Sequence, residues 1–114
     1  MLEHTMIVAF EEPLPDAELD QYLADIEKVM LDSGTVRSFV ARRHIAVPGE
    51  EDIPALVATA IVRFTVADRE ALARAFTVPG LHELIGRWQA RHPYRVGYAN
   101  HEPLTFSDFT ATSG

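Results

Sequence analysis

The segment Leu56–Trp88 constrains the fold most, because the spacing of its apolar residues changes from that of a strand to that of a helix. From Leu56 to Phe64 both alternating faces are largely apolar, which predicts a strand with neither face open to water. Asp68 stands where a helix N-terminus favours negative charge, and a second helix is predicted from Pro79. That helix carries a core-facing stripe, Leu81, Leu84, Ile85 and Trp88. His82 lies beside the stripe, at the edge of whatever cavity these elements enclose.

Three more strands and one longer helix are predicted around this segment. They are a strand over residues 3–10, a helix from Asp16, its predicted N-cap, to Gly34, a strand over 35–47 and a strand over 94–101. A charged, turn-rich connection makes the second and third strands a hairpin. The order β-α-β-β-α-β is the split βαβ arrangement of ferredoxin-like domains, an α+β fold with an antiparallel sheet. We expect one domain over residues 1–104 and a C-terminal tail over 105–114.

One face of this sheet is left without helices, and it is also apolar. Its predicted residues are Ile7, Ala9, Val40, Val57, Thr59 and Ile61. A monomer seldom exposes such a patch, and an identical sheet related by a two-fold axis would cover it. The sequence therefore predicts a homodimer.

Composition narrows the classes of partner and site. The chain has 114 residues, a net charge of −7 and no cysteine. The negative charge argues against a nucleic-acid partner, and the lack of an 18-residue apolar run argues against a membrane span. Without cysteine there is no thiol nucleophile and no thiolate metal site, and with no leader-like N-terminus we expect a cytoplasmic protein. The five histidines form no metal-ligand pattern, so we expect neither metal nor organic cofactor, although one histidine would suffice to ligate haem.

Two local motifs carry a resemblance to a known superfamily. GTVRSF in the second strand and VRFTVADREALARAF across the strand-to-helix junction resemble the dimeric α+β barrel superfamily, over Glu3–Leu104. The resemblance implies a barrel made from two such sheets. The superfamily includes cofactor-free polyketide cyclases, cofactor-free quinone-forming monooxygenases and haem-handling proteins, so it implies no single reaction.

A narrower resemblance is to the stress-responsive barrel branch, which includes polyketide cyclases of the olivetolic acid cyclase type. In that branch a first-strand histidine precedes a phenylalanine by six residues, as His4 precedes Phe10 here. A tyrosine there precedes the catalytic histidine by six residues, where this chain has Phe76 and His82. The resemblance implies that His82 is catalytic, while the missing tyrosine hydroxyl and the Pro79-Gly80 step depart from that branch.

Ten residues are predicted to form a small-molecule site. The candidate catalytic residues are His82 and His4, and the candidate substrate contacts are Tyr22, Phe39, Arg43, Phe64, Phe76, Trp88, Tyr98 and Asn100. A histidine titrates near neutral pH and can take a proton from a carbon between two carbonyls. Small alanines in the strands leave volume for an apolar pocket. His82 could equally be a surface histidine, and His4 a strand-end histidine.

The leading hypothesis is a cofactor-independent enzyme of secondary metabolism that acts on a hydrophobic or aromatic, enolisable compound. In a polyketide-cyclase-type reaction His82 would abstract a proton, and His4 or Tyr98 would stabilise the oxyanion. One alternative is cofactor-free oxygenation of a phenol in the same pocket. Another, from a different class, is a non-catalytic dimer that binds a hydrophobic ligand or serves as an interaction module.

Overall fold

The four strands form one antiparallel sheet, and the three α-helices of residues 1–104 pack against one of its faces. A computed structural model describes residues 1–104, and the predicted tail over 105–114 lies outside the described residues. The elements are β1 (Leu2–Phe10), α1 (Asp16–Asp32), β2 (Val36–Arg43), a 3-10 turn (Glu50–Asp52), β3 (Ala60–Val66), α2 (Arg69–Ala75), α3 (Leu81–Arg91) and β4 (Tyr94–His101). The strand order β2-β3-β1-β4 confirms the predicted ferredoxin-like α+β architecture.

The register of the sheet places its side chains on two defined faces. His4 lies between Phe64 of β3 and Asn100 of β4, and Met6 lies between Val62 and Tyr98. Because directly paired residues in an antiparallel sheet point the same way, these side chains share the face toward the helices, here called the inner face. The opposite, outer face includes Thr5, Ile7, Ala9, Val40, Ile61 and Arg63.

The two strands of the hairpin, β2 and β3, are shorter than predicted at the ends that adjoin their connecting loop. β2 ends at Arg43 rather than at residue 47, and β3 begins at Ala60 rather than at Leu56. Next to the start of β3, the Thr59 hydroxyl rather than a backbone carbonyl accepts the Phe10 backbone N–H, at 2.9 Å. The apolar pattern continues beyond this point, but Ile45 and Leu56 are exposed.

The helix ends follow local chemistry. Asp68 Oδ1 accepts the Ala71 N–H at 2.9 Å and caps α2, close to where the sequence placed a helix start. Asp16 is wrong as the cap of α1: Pro15 occupies the cap position with φ −57°, and Asp16 is the first helical residue. α3 begins at Leu81 rather than at Pro79, because Gly80 has φ +85°, a left-handed conformation outside the helix.

The core lies between the inner face and the helices. Leu19, Tyr22, Ile26 and Met30 of α1 and Leu84 and Trp88 of α3 are buried there. On the outer face, Val40 and Ile61 are 47% and 44% exposed. Among the helices of the described residues, none is long and apolar enough to cross a membrane.

Candidate active site

An apolar cavity of about 250 Å³ lies between the inner face and the helices. All four strands and all three helices contribute to its lining, from Phe39 on β2 to Ala75 on α2. Its volume is just below the range of about 300–1,000 Å³ that is usual for small-molecule pockets. Among residues 1–104, none of the side chains that line it is an aspartate, glutamate, lysine or arginine. The cavity therefore suits a compact, uncharged and largely apolar molecule.

His4 is the titratable imidazole in this lining. It is buried, with 4% of its surface exposed, because β1 is an inner strand of the sheet and turns His4 toward the helices. Its ring stacks on Phe64, with 4.6 Å between ring centroids, and on Tyr98, at 5.0 Å. Phe76 approaches edge-on at 5.5 Å. Three aromatic rings therefore hold the imidazole plane in place.

Asn100 orients the His4 ring. The His4 Nδ1 and the Asn100 Oδ1 are 2.8 Å apart, and because the amide oxygen can only accept, Nδ1–H is the donor. Nε2 is then the unprotonated nitrogen, and within residues 1–104 it has no hydrogen-bond partner. Burial lowers the pKa of His4 below 6.5, with the hydrogen bond to Asn100 opposing that shift and the nearby His101 adding to it. His4 is thus a neutral imidazole at pH 7, able to accept a proton.

Further polar groups lie on the outer face at the same end of the sheet. Glu3 is buried, and its Oε1 accepts the Leu104 N–H at 2.8 Å. His101 Nε2 lies 2.6 Å from the Thr5 hydroxyl oxygen. These bonds tie β1 to the chain that follows β4, and so fix the strand pair that brings His4 and Asn100 together.

His82 does not line the cavity. Its side chain is exposed, and its Nε2–H donates to the carbonyl oxygen of Phe76 at 3.1 Å. The reason is rotational: Leu81 and Ile85 of α3 face the cavity, and His82 is turned away from them around the helix. Phe76 contacts both histidines, His4 through its ring and His82 through its backbone. Of the two predicted catalytic histidines, the structure therefore places His4 in the cavity lining and leaves His82 outside it.

The other predicted contacts divide into two groups. Five line the cavity, namely Tyr22, Phe39, Phe64, Phe76 and Tyr98. Trp88 and Arg43 do not. Trp88 is in the core, where its Nε1–H donates to Asp25 at 3.0 Å, and Arg43 forms surface ion pairs with Asp16 and Asp20. The acidic start of α1 thus neutralises the arginine that was predicted to contact the substrate.

Sequence reasoning missed much of the cavity wall. The additional lining residues are Met6, Ile26, Met30, Val62, Ala75, Leu81, Ile85, Gln89, Tyr94 and Val96. Tyr94 had a usable signal, because it shares a face of the last strand with Tyr98 by alternation. Gln89 had none, because nothing local predicts that its amide bonds the backbone of Tyr94 at both N–H and C=O.

The chain resembles known proteins in its structure. No protein-family model matches the chain, and no curated protein matches its sequence. Solved structures do match. A dabb family protein with a ferredoxin-like fold from Mesorhizobium loti is 17% identical, with a TM-score of 0.69 over 91% of this chain and 97% of that one.

Two matching structures are of enzymes. A hydroxynitrile lyase from Passiflora edulis is 14% identical, with a TM-score of 0.69 over 93% of this chain and 96% of that one. A mutant form of SnoaB, a cofactor-independent oxygenase from Streptomyces nogalater, is 15% identical, with a TM-score of 0.61 over 92% and 98%. At these identities the likeness is one of fold. The resemblance inferred from sequence is confirmed at that level: the chain has a ferredoxin-like fold.

Proposed function

We propose that the protein is a cofactor-independent enzyme that removes a proton from a small, mostly apolar carbonyl compound, with His4 as the general base. The observation that carries the proposal is the buried His4 imidazole in the cavity lining, held through Nδ1 by Asn100. A fixed, neutral imidazole has the lone pair that the reaction needs at neutral pH. The catalytic role expected of His82 passes to His4, because His82 is outside the lining.

The proposed step is an enolisation. A C–H bond next to a carbonyl breaks, the proton goes to Nε2 of His4, and the electron pair moves onto the carbonyl oxygen as an enolate. Asn100 Oδ1 stabilises the imidazolium through Nδ1–H. Tyr98, whose ring stacks on His4, is our candidate donor to the enolate oxygen. The enolate carbon can then attack a second carbonyl of the same molecule, which is a cyclase reaction, or regain a proton.

The character of the cavity supports this chemistry. The lining is almost entirely apolar, so the charge that develops on the enolate interacts strongly with the few polar groups present. Proteins with the same fold include a lyase and a cofactor-independent oxygenase, which supports catalysis in such a cavity. Oxygenation of a phenol would begin with removal of the phenol O–H proton by the same base, and consumption of oxygen distinguishes it from cyclisation.

Deuterium exchange into phenylacetone tests the base directly. The protons between its ring and its carbonyl exchange slowly in D2O, and proton NMR follows their loss. We expect the wild-type protein to accelerate the exchange. His4→Gln should reduce the protein-catalysed exchange rate at least a hundredfold. His92→Gln is the matched control, because His92 pairs with Glu18 away from the cavity lining and should exchange as the wild type does.

A third variant separates the two histidines. His82→Gln should keep exchange within a few-fold of wild type, because His82 contacts a backbone carbonyl outside the cavity. The proposal fails if His4→Gln exchanges at the wild-type rate. If the wild-type protein gives no acceleration over buffer, the enzymatic proposal fails and the non-catalytic ligand-binding barrel replaces it.

We also propose that two copies of the chain pair through the outer face. Ile7 is half-buried there and is paired across the sheet with the exposed Ile61, and Val40 is exposed on the same face. The helices cover the other face, so a second sheet is the simplest cover for this one.

A further inference from the structure

Two tyrosines line the cavity toward the end of β4 that is remote from His4. Tyr22 of α1 and Tyr94 of β4 are buried, with 1% and 6% of their surfaces exposed, and both line the cavity. Their ring centroids are 5.2 Å apart, and Phe10 packs against both rings. Buried hydroxyls in an otherwise apolar wall need hydrogen-bond partners.

Burial disfavours ionisation of both phenols. Burial, and then a side-chain hydrogen bond with Tyr94, raise the pKa of Tyr22. Burial also raises the pKa of Tyr94, while side-chain hydrogen bonds with Tyr22 and Gln89 act against that rise. Each hydroxyl therefore keeps its proton at neutral pH, and because Tyr94 lines the cavity, its O–H can donate to a ligand there.

The strand spacing sets the distance between Tyr94 and the reactive end. Tyr94, Val96 and Tyr98 alternate along β4 on the inner face, and all three line the cavity. Four residues of strand, from Tyr94 to the Tyr98 that stacks on His4, span about 13 Å. The cavity is thus elongated along β4, with polar groups at both ends and apolar walls between.

We propose that Tyr94 is a second binding site for the ligand, in which its O–H donates to an acceptor oxygen at the end of the molecule remote from His4. The ligand class is an elongated, uncharged and mostly apolar compound with one carbonyl for His4 and an acceptor oxygen at its far end. The assignment of the reacting carbonyl rests on the proposed function. The Tyr94 contact itself rests on the cavity geometry.

Binding of two matched probes tests the contact. Both are benzylacetones, one with a para-acetyl group and the other with a para-isopropenyl group, which has the same shape but accepts no strong hydrogen bond. We expect the wild-type protein to bind the acetyl probe about five- to tenfold more tightly, the effect of about one net hydrogen bond. Tyr94→Phe should reduce this ratio to about one and leave the affinity for the isopropenyl probe within twofold. Titration calorimetry measures both affinities.

One further tyrosine variant completes the design. Tyr98→Phe removes the hydroxyl at the opposite end and should preserve the ratio. A preference for the acetyl probe that survives in Tyr94→Phe overturns the proposal, and so does the lack of any preference, or of millimolar binding, in the wild type. Binding of the isopropenyl probe shows that each variant is folded.

The probe-binding test of Tyr94 can succeed or fail independently of the deuterium-exchange test of His4. Binding needs no proton transfer, so a preference that depends on Tyr94 stands even if phenylacetone does not exchange. Conversely, exchange that depends on His4 stands even if the two probes bind equally.

Discussion

Burial and a single amide oxygen together define the state of His4. A buried imidazole is costly to protonate, so folding favours its neutral form. Asn100 then selects the tautomer, because its Oδ1 requires Nδ1 to carry the hydrogen. An aspartate in that place would hold the ring in the same way but would favour the imidazolium. The neutral asparagine keeps His4 available as a proton acceptor.

The lowered pKa of His4 predicts an acid-sensitive stability. Because the unfolded chain binds a proton at His4 near pH 6.5 and the folded protein does not, the folded state loses stability as pH falls below 6.5. Well above pH 6.5 His4 is neutral in both the folded and the unfolded state, so this loss of stability is absent. In urea unfolding, we expect the wild-type protein to lose more stability than His4→Gln between pH 7 and pH 5, by at most about 1.4 kcal/mol per pH unit. Parallel curves for the two proteins would contradict the shift.

Substitution of Asn100 by aspartate should shift the pH dependence of phenylacetone exchange. A carboxylate beside Nδ1–H raises the pKa of His4, because an opposite charge favours the imidazolium. In Asn100→Asp, the acid limb of the phenylacetone exchange profile should therefore move to higher pH than in the wild type. Asn100→Ala, which removes the acceptor without adding charge, is the control for loss of orientation. An unmoved limb in Asn100→Asp would show that His4 is not the titrating base.

At the scale of elements, the turn between α2 and α3 determines which side chains of α3 reach the cavity. Gly80 takes a left-handed conformation just before the helix, and Leu81 then starts it with its side chain in the cavity wall. His82 follows on the next side of the helix and bonds the Phe76 carbonyl. The local conformation at one glycine thus accounts for which of two neighbouring residues lines the site.

Two glycine-to-alanine substitutions should change stability in opposite directions. Gly80→Ala forces a Cβ into φ +85° and should cost about 1–2 kcal/mol. Gly86 lies inside α3, and a Cβ added there would meet no heavy atom within 4 Å, so Gly86→Ala should stabilise by about 0.5–1 kcal/mol. Urea denaturation of both variants measures the two changes. The same sign for both would contradict the conformation given to Gly80.

At the scale of the whole molecule, alternation predicts faces well and registers poorly. Alternation along residues 3–10 puts His4, Met6 and Val8 on one face, and the register of β1 agrees. The contact between His4 and Asn100 depends on pairing across 96 residues of sequence, which no local spacing encodes. The bond between Thr59 and Phe10 and the ion pair between Arg43 and Asp16 likewise join residues that are distant in the chain.

The exposed apolar outer face predicts the assembly state and how to disrupt it. Light scattering at micromolar concentration should give about twice the chain mass of 12.7 kDa. Ile61→Lys puts a charge in the middle of the outer face, where burial against a second sheet would desolvate it, and should shift the protein to single chains. Leu31→Lys is the matched control, because Leu31 is exposed to a similar extent, 39% against 44%, but lies on α1 on the helical side. A single-chain mass for the wild type, or an unchanged mass for Ile61→Lys, would show that the outer face is not the contact between copies.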